Sequence, residues 1–191
     1  MDLILASQSP RRRELLGLTG LDFTVRVADI DETMWPGKAP FDEVARVSRL
    51  KALAVDRAPG DVVIAADTIV VLHDQVLGKP ATPDQAVAML TALSGRDHQV
   101  MTGVTVLKGN TCLTHTEITD IHFRELSQEE IRRYVATGEP MDKAGAYGIQ
   151  GGAALFVDSM RGDYYNVMGL PVCRLFLMLR TAAPEIMEEI R

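Results

Sequence analysis

Serines and arginines that suit a phosphate group follow the first apolar run of the chain, in the stretch Ser7-Gln8-Ser9-Pro10-Arg11-Arg12-Arg13. The first turn of a helix presents unpaired backbone N–H groups and a partial positive charge, to which hydroxyl and guanidinium groups add donors. Arginines in that turn oppose the helix dipole, and a bound anion would offset this repulsion. The pattern indicates a polyphosphate site; an ordinary capped helix with solvated arginines is the alternative.

A single carboxylate, Asp67, interrupts the strongly β-prone stretch 61–72. A carboxylate in a buried strand needs a cationic partner, a metal ion or a place at the end of the strand. In α/β proteins the ends of strands face the cleft where catalysis takes place. Asp67 is therefore a candidate for holding a divalent ion or for taking a proton from water, and a turn-forming aspartate is the alternative.

Three carboxylates lie close together in the loop Asp29-Ile30-Asp31-Glu32-Thr33. Close carboxylates repel one another unless a cation or a basic partner lies between them. Oxygen ligands of this kind suit Mg²⁺ or Mn²⁺. A solvated acidic loop accounts for the same residues equally well.

Lys51 falls on an apolar face of a predicted helix, within about 20° of Val44 on the helix wheel and between Val44 and Val55. Leu50 and Leu53 form a second apolar stripe, so we expect this helix to be buried on more than one side. Lys51 then points at an internal carboxylate or a ligand phosphate. A surface lysine whose stem covers apolar neighbours is the alternative.

The late segment 142–152 has four glycines in the eight residues 145–152, which would let its backbone approach a ligand closely. Its Gln150 carries an amide donor and an acceptor, which match the carbonyl beside an N–H on uracil or thymine. Lys79, in an earlier turn, could reach a phosphate as a mobile charge. A flexible loop and a solvated turn lysine are the respective alternatives.

The composition limits the classes of partner. The chain has 191 residues and a formal net charge of −6, whereas duplex-binding proteins show a basic footprint. No apolar run is long enough to span a bilayer, and the N-terminal charge follows the apolar run, in the reverse order of a secretory signal. The two cysteines and four histidines form no metal spacing. We therefore expect a cytoplasmic protein with no nucleic-acid or membrane partner.

The elements that must position these side chains alternate between strand and helix, which predicts an α/β fold on a mixed sheet and a single domain over residues 1–191. Capping boxes are predicted at Thr82 and Ser127. Strands are predicted at about residues 3–6, 23–27, 61–72, 98–108, 111–123 and 154–159. Helices are predicted from residue 10 to about 17 or 20, and at about 41–57, 83–93, 128–137 and 172–180.

The order of these motifs strongly resembles the Maf family over nearly the whole chain. Asp67-Thr68 and Gln150 are similar to the branch that hydrolyses dTTP and UTP to the monophosphate and pyrophosphate. The branch that prefers 7-methylguanosine triphosphate instead has Gln after the Asp and an acidic residue in the late loop. The resemblance rests on Ser7-Gln8-Ser9-Pro10-Arg11-Arg12, Asp31-Glu32, Lys51, Ala66-Asp67-Thr68, Gly78-Lys79-Pro80, Leu93-Ser94-Gly95, Thr119-Asp120 and Asp142-Lys143-Ala144-Gly145-Ala146-Tyr147-Gly148-Ile149-Gln150-Gly151.

The resemblance implies an elongated mixed β-sheet flanked by helices, with two lobes around a central cleft, similar to inosine triphosphatase. It also implies a divalent metal cation (Mg²⁺ or Mn²⁺), a cytoplasmic location and a homodimer. Asp67 matches the proton acceptor, and Glu32 with Asp67 would hold the metal; which of the two is base and which is ligand stays open. The residues it places against the substrate are Ser7, Arg11, Arg12, Lys51, Thr68, Lys79 and Gln150.

These expectations combine into one hypothesis, a nucleoside triphosphate pyrophosphatase that acts on dTTP and UTP. Two other classes stay open. One is a non-catalytic nucleotide-binding regulator, for example in septum formation during cell division. The other is a house-cleaning enzyme for modified pyrimidine triphosphates.

Overall fold

Strands and helices alternate along most of the chain in the computed structural model, which describes residues 1–189. The elements are β1 Leu3–Leu5, α1 Pro10–Gly17, β2 Thr24–Val25, α2 Pro40–Ala54, β3 Val62–Leu72, β4 Gln75–Leu77, α3 Pro83–Leu93, β5 Asp97–Lys108, β6 Thr111–Phe123, α4 Gln128–Ala136, β7 Val157–Arg161, α5 Tyr164–Met168 and α6 Val172–Ala182, with short 3-10 helices at Glu139–Asp142, Ala144–Ala146, Gly152–Leu155 and Pro184–Glu189.

The seven strands form one mixed sheet in the order β2-β1-β3-β5-β6-β7, with β4 beside β3. Strand β1 runs parallel to β2 and to β3, whereas β4 is antiparallel to β3 and β7 is antiparallel to β6. Every residue of β1 is buried, as expected for a parallel strand covered on both faces. The predicted α/β class with a mixed sheet is confirmed.

The chain divides into two compact units, each built from separate stretches of sequence. The first unit contains Met1–Asp67, Thr102–Glu117 and the chain from Gly169 onward, and the second contains Thr68–Met101 and Ile118–Met168. The core of the first unit includes aliphatic side chains of β1, α2 and β3. The core of the second is more aromatic and includes Phe123, Tyr134, Tyr147 and Phe156.

Helix α2 differs from its prediction in length and in the face that it buries. It ends at Ala54 because Val55 is already extended, and Leu50 and Leu53 are 37% and 44% exposed. The predicted second buried stripe is therefore wrong, and α2 is packed along one face, through Val44 and Val47 among others.

The helix caps fix where the helices start. Ser127 forms the predicted capping box, because its hydroxyl accepts from Glu130 N and the Glu130 side chain accepts from Ser127 N. At Thr82 only half of the box is present, since Gln85 Oε1 accepts from Ala81 N instead of from Thr82 N. Among residues 1–189, no helix has both the length and the apolar character needed to cross a membrane.

Candidate active site

The turn between β1 and α1 is closed by hydrogen bonds to a buried serine hydroxyl. Ser7 Oγ accepts from the backbone N–H of Ser9 at 3.2 Å and from Arg12 Nη1 at 3.2 Å. Arg12 Nε also donates to the carbonyl of Gly169 at 2.8 Å. Pro10 starts the helix, and Ser9 takes the N-cap position without a side-chain cap bond. Ser7 before the helix and Gly169 far along the chain thus hold the Arg12 guanidinium in place, whereas the polyphosphate site itself stays a prediction.

Lys51 joins two carboxylates from distant parts of the sequence. Its Nζ donates to Asp67 Oδ1 at 2.8 Å and to Glu32 Oε2 at 2.9 Å. The side chains of Lys51 and Asp67 are each 14% exposed, whereas Glu32 is 59% exposed. Lys51 therefore meets an internal carboxylate, one of the two expectations for it. Asp67 lies in the middle of β3 and not at its end, so of the three alternatives for a buried carboxylate it takes the cationic partner, Lys51.

Arg12 belongs to the same electrostatic group as Lys51, Glu32 and Asp67, which we call the charged cluster. Burial lowers the pKa of Arg12 and Arg11 lowers it further, while the negative charges of Asp67 and Glu32 oppose this shift. The cluster thus combines two fixed cations with two carboxylates in the first unit. Such an arrangement can bind an anion through the cations while keeping a carboxylate close to it.

The acidic loop does not bring its three carboxylates together on one cation. Asp31 Oδ1 accepts from the backbone N–H of Thr33 at 2.9 Å, and hydrogen bonds from Thr33 lower the pKa of Asp31. Asp31 therefore stabilises its own turn, Asp29 is exposed, and Glu32 is the member that reaches Lys51.

Glu32 and Asp67 fit a metal ion that also binds phosphate. Their oxygens converge on one ammonium group, and Mg²⁺ is commonly held by one or two carboxylates together with substrate phosphates. Within residues 1–189, no group of three or more His, Cys, Asp or Glu side chains is arranged to hold a metal by itself.

Thr68, Lys79 and Gln150 belong to the second unit. Thr68 is half-buried in β3, directly after Asp67, whereas Lys79 and Gln150 are exposed in loops. In the first unit, the structure brings Ser7, Arg12, Lys51, Glu32 and Asp67 together, with Arg11 beside Arg12 in α1. That residues of both units contact one substrate, as the family resemblance implies, stays a prediction.

The glycines of the late loop meet side chains of the chain itself. A Cβ added at Gly151 would lie 2.0 Å from Glu139 Oε1, and one at Gly148 would lie 2.7 Å from Lys143 Cε. The glycine spacing predicted the close approach of a ligand. It indicated that something approaches this backbone closely, but it could not indicate that Glu139 is the neighbouring residue.

A separate cavity of about 590 Å³ lies in the second unit, lined by three histidines and three aspartates among other residues. None of the predicted site residues lines it. His98 on its wall is buried against Phe123 and Tyr147, and burial lowers its pKa to about 4. The expected structural role suits His98, whose ring stays neutral at physiological pH.

Comparison with known proteins agrees with the motif order. A model of the family described as Maf-like protein matches residues 2–182. A dTTP/UTP pyrophosphatase of Symbiobacterium thermophilum is 53% identical over 178 residues, which cover 93% of this chain and 92% of that protein. A dTTP/UTP pyrophosphatase of Geobacillus is 53% identical over 90% of this chain and 93% of that protein. The structure of a HAM1 protein from Coxiella burnetii aligns with a TM-score of 0.49 and 16% identity, over 95% of this chain and 100% of that one.

Proposed function

Because this chain belongs to the Maf family, we propose that it is a nucleoside triphosphate pyrophosphatase that hydrolyses dTTP and UTP to the nucleoside monophosphate and pyrophosphate. The observation that carries the proposal is the charged cluster, in which Lys51 Nζ lies 2.8 Å from Asp67 Oδ1. Relatives that share about half of its residues over at least 90% of the chain bear the name of this activity.

The phosphates bind to the cations and hydroxyls of the first unit. Arg12 and Lys51 are held by neighbouring oxygens before substrate arrives, so little side-chain entropy is lost on binding. Ser7 and Arg11 add donors in the same turn. Lys79, a residue of the second unit, is proposed as a further, mobile phosphate contact. Phosphoryl transfer depends mainly on positioning and on neutralising the negative charge.

Asp67 accepts the proton of the water that attacks the α-phosphorus. The bond from Lys51 holds its carboxylate in one orientation, as a general base requires. The bond between the α-phosphorus and the bridging oxygen breaks, and pyrophosphate leaves with the electron pair. Glu32 accepts a second hydrogen bond from Lys51 Nζ, which holds the ammonium group between the two carboxylates.

We propose that Glu32 and Asp67 hold a divalent cation, Mg²⁺ or Mn²⁺, during the reaction. When bound, such an ion neutralises phosphate oxygens and lowers the pKa of water. Support comes from the convergence of these two carboxylates on a single cationic group.

Gln150 and Thr68 select the base. A primary amide donates to a carbonyl and accepts from the adjacent N3–H of uracil or thymine. Cytosine has no N3 proton, so it leaves the amide oxygen unpaired and is disfavoured. The protein works in the cytoplasm as a homodimer with no nucleic-acid or membrane partner, a proposal supported by the family resemblance and the net charge of −6.

Pyrophosphate release across a panel of triphosphates tests the proposal. We expect rapid release from dTTP and UTP and slow release from CTP and dGTP. Faster release from modified pyrimidine triphosphates than from dTTP and UTP would instead indicate a house-cleaning enzyme that removes modified nucleotides. Tight binding of dTTP by calorimetry without any release would instead identify a nucleotide-binding regulator and refute the enzyme.

A further inference from the structure

The turn that carries Gln150 is held at both ends by one pair of side chains. Gly151 N donates to Gly148 O at 3.0 Å, which closes a turn with Gln150 at a central position. Gly148 N donates to Tyr134 Oη at 3.1 Å, and Gly152 N donates to Glu139 Oε2 at 3.1 Å. We call Tyr134 and Glu139 the clip.

The two members of the clip also bind each other. Tyr134 Oη donates to Glu139 Oε1 at 2.8 Å. The hydroxyl thus accepts from one end of the turn and donates to the residue that holds the other end. Burial and the neighbouring Glu139 raise the pKa of Tyr134, so the hydroxyl keeps the proton that it donates.

The glycines let the turn come this close. A Cβ on Gly152 would lie 3.1 Å from the Tyr134 ring, and one on Gly151 would overlap the Glu139 carboxylate. The backbone therefore rests directly on the clip, with no side chain between them. These close contacts and the two hydrogen bonds from Gly148 N and Gly152 N restrict the conformation of the turn.

Neighbouring residues hold Tyr134 and Glu139 in position. Tyr134 is 6% exposed and packs edge-on against Phe156, with ring centroids 5.1 Å apart. Gly138 ends α4 with φ 76°, and the backbone carbonyl of Glu139 accepts from Lys143 Nζ at 2.7 Å. The positions of both side chains are thus set by packing and by the backbone.

We infer that Tyr134 and Glu139 are positioning residues for base selection, which fix the turn 148–151 so that the Gln150 amide meets the pyrimidine edge in one orientation. This inference rests on the proposed function. It adds two residues that do not touch the base but decide how well Gln150 discriminates.

The test compares base discrimination in Tyr134→Phe and Glu139→Ala with that of the unaltered protein. The measured quantity is the ratio of kcat/KM for UTP to that for CTP. We expect each change to lower the ratio about tenfold, since one hydrogen bond that orders the turn is lost. Glu139→Gln keeps an acceptor for Gly152 N and should recover most of the ratio. Tyr164→Phe removes an exposed hydroxyl elsewhere and serves as the matched control.

Two further measurements separate positioning from general damage. In a Gln150→Ala background, Tyr134→Phe should not lower the ratio again, because the residue that it positions is gone. Amide hydrogen exchange at Gly148 and Gly152 should quicken in Tyr134→Phe without substrate. Unchanged ratios in an active enzyme, or an additive loss in the double variant, would overturn the inference. Absence of pyrophosphate release by the unaltered protein would overturn the proposed function, while the exchange result would still report on the clip.

Discussion

A single lysine organises the chemistry at the scale of the residue. Lys51 Nζ bonds to Asp67 on a strand and to Glu32 in a loop, so two carboxylates share one cation. Without that cation they would repel each other in a partly buried setting. The same arrangement leaves a cationic group beside the proposed base, where the negative charge of a triphosphate would be neutralised.

We predict that Asp67→Asn folds but turns over dTTP about 10²- to 10⁴-fold more slowly, because an amide cannot take up the proton of the attacking water. Pyrophosphate release measures the rate, and circular dichroism checks the fold. Asp158→Asn, an exposed change on β7, is the control. A near-normal rate in the Asp67 variant would remove it from the chemistry.

Gln150→Glu should change the order in which nucleotides are preferred. A carboxylate accepts hydrogen bonds but cannot donate to a base carbonyl, so we expect kcat/KM for UTP and dTTP to fall at least about tenfold relative to other triphosphates. Competition assays with mixed triphosphates give the order of preference. Gln75→Glu, at an exposed position on β4, controls for added charge. An unchanged order in the Gln150 variant would refute the role of Gln150 in selecting the base.

At the scale of the element, helix α2 packs closely on strand β5 inside the first unit. A Cβ on Gly103 would lie 2.4 Å from the backbone carbonyl oxygen of Val44. Backbone cannot move aside as a flexible side chain would. The absence of a side chain at this one position of β5 therefore sets the distance between strand and helix.

Gly103→Ala should lower the free energy of unfolding by about 3 kcal/mol through overpacking. Gly17→Ala, at the end of α1 with nothing within 4 Å of its added Cβ, should be neutral or stabilise by up to about 1 kcal/mol. Urea unfolding of both variants measures the contrast. Equal effects would contradict the close packing of α2 on β5.

The free energy of unfolding depends on pH through Glu130, at the start of α4. Hydrogen bonds from Arg124 and Ser127 lower the pKa of Glu130 from 4.5 to about 2. Its charge therefore stabilises the fold above pH 4.5, and this contribution is lost as the pH falls through about 2. We expect Glu130→Gln to unfold at lower urea than the unaltered protein at pH 7, with the difference vanishing near pH 2. A constant difference across this range would exclude the ion pair as its cause.

The elements best predicted are those whose limits are set locally. The apolar run of β1 and the Pro10 start of α1 gave limits that the structure changes by one residue or less. Strand β4 was missed because the turn before it places His73 and Asp74 at positive φ, where Asn-Gly is the usual signal. Helix α5 was missed because five residues carry no usable periodicity.

At the scale of the whole molecule, the proposed metal should be needed for activity but not for folding. Lys51 already links Glu32 to Asp67, so the charged cluster keeps its internal contacts when no metal is present. We expect EDTA to abolish pyrophosphate release, Mg²⁺ or Mn²⁺ to restore it, and the thermal midpoint to change little. Activity that persists in EDTA would exclude the metal.

The sequence by itself determined the fold class, most of the strand and helix limits and the identity of the charged and amide residues that could do chemistry. Those properties follow from local periodicity, caps and residue type. Only the tertiary structure decided that Lys51 joins Asp67 to Glu32, that Asp31 serves its own turn, and that the late glycines rest on Tyr134 and Glu139. Such pairings depend on which distant segments the fold brings within hydrogen-bond reach, and no spacing along the chain encodes that distance.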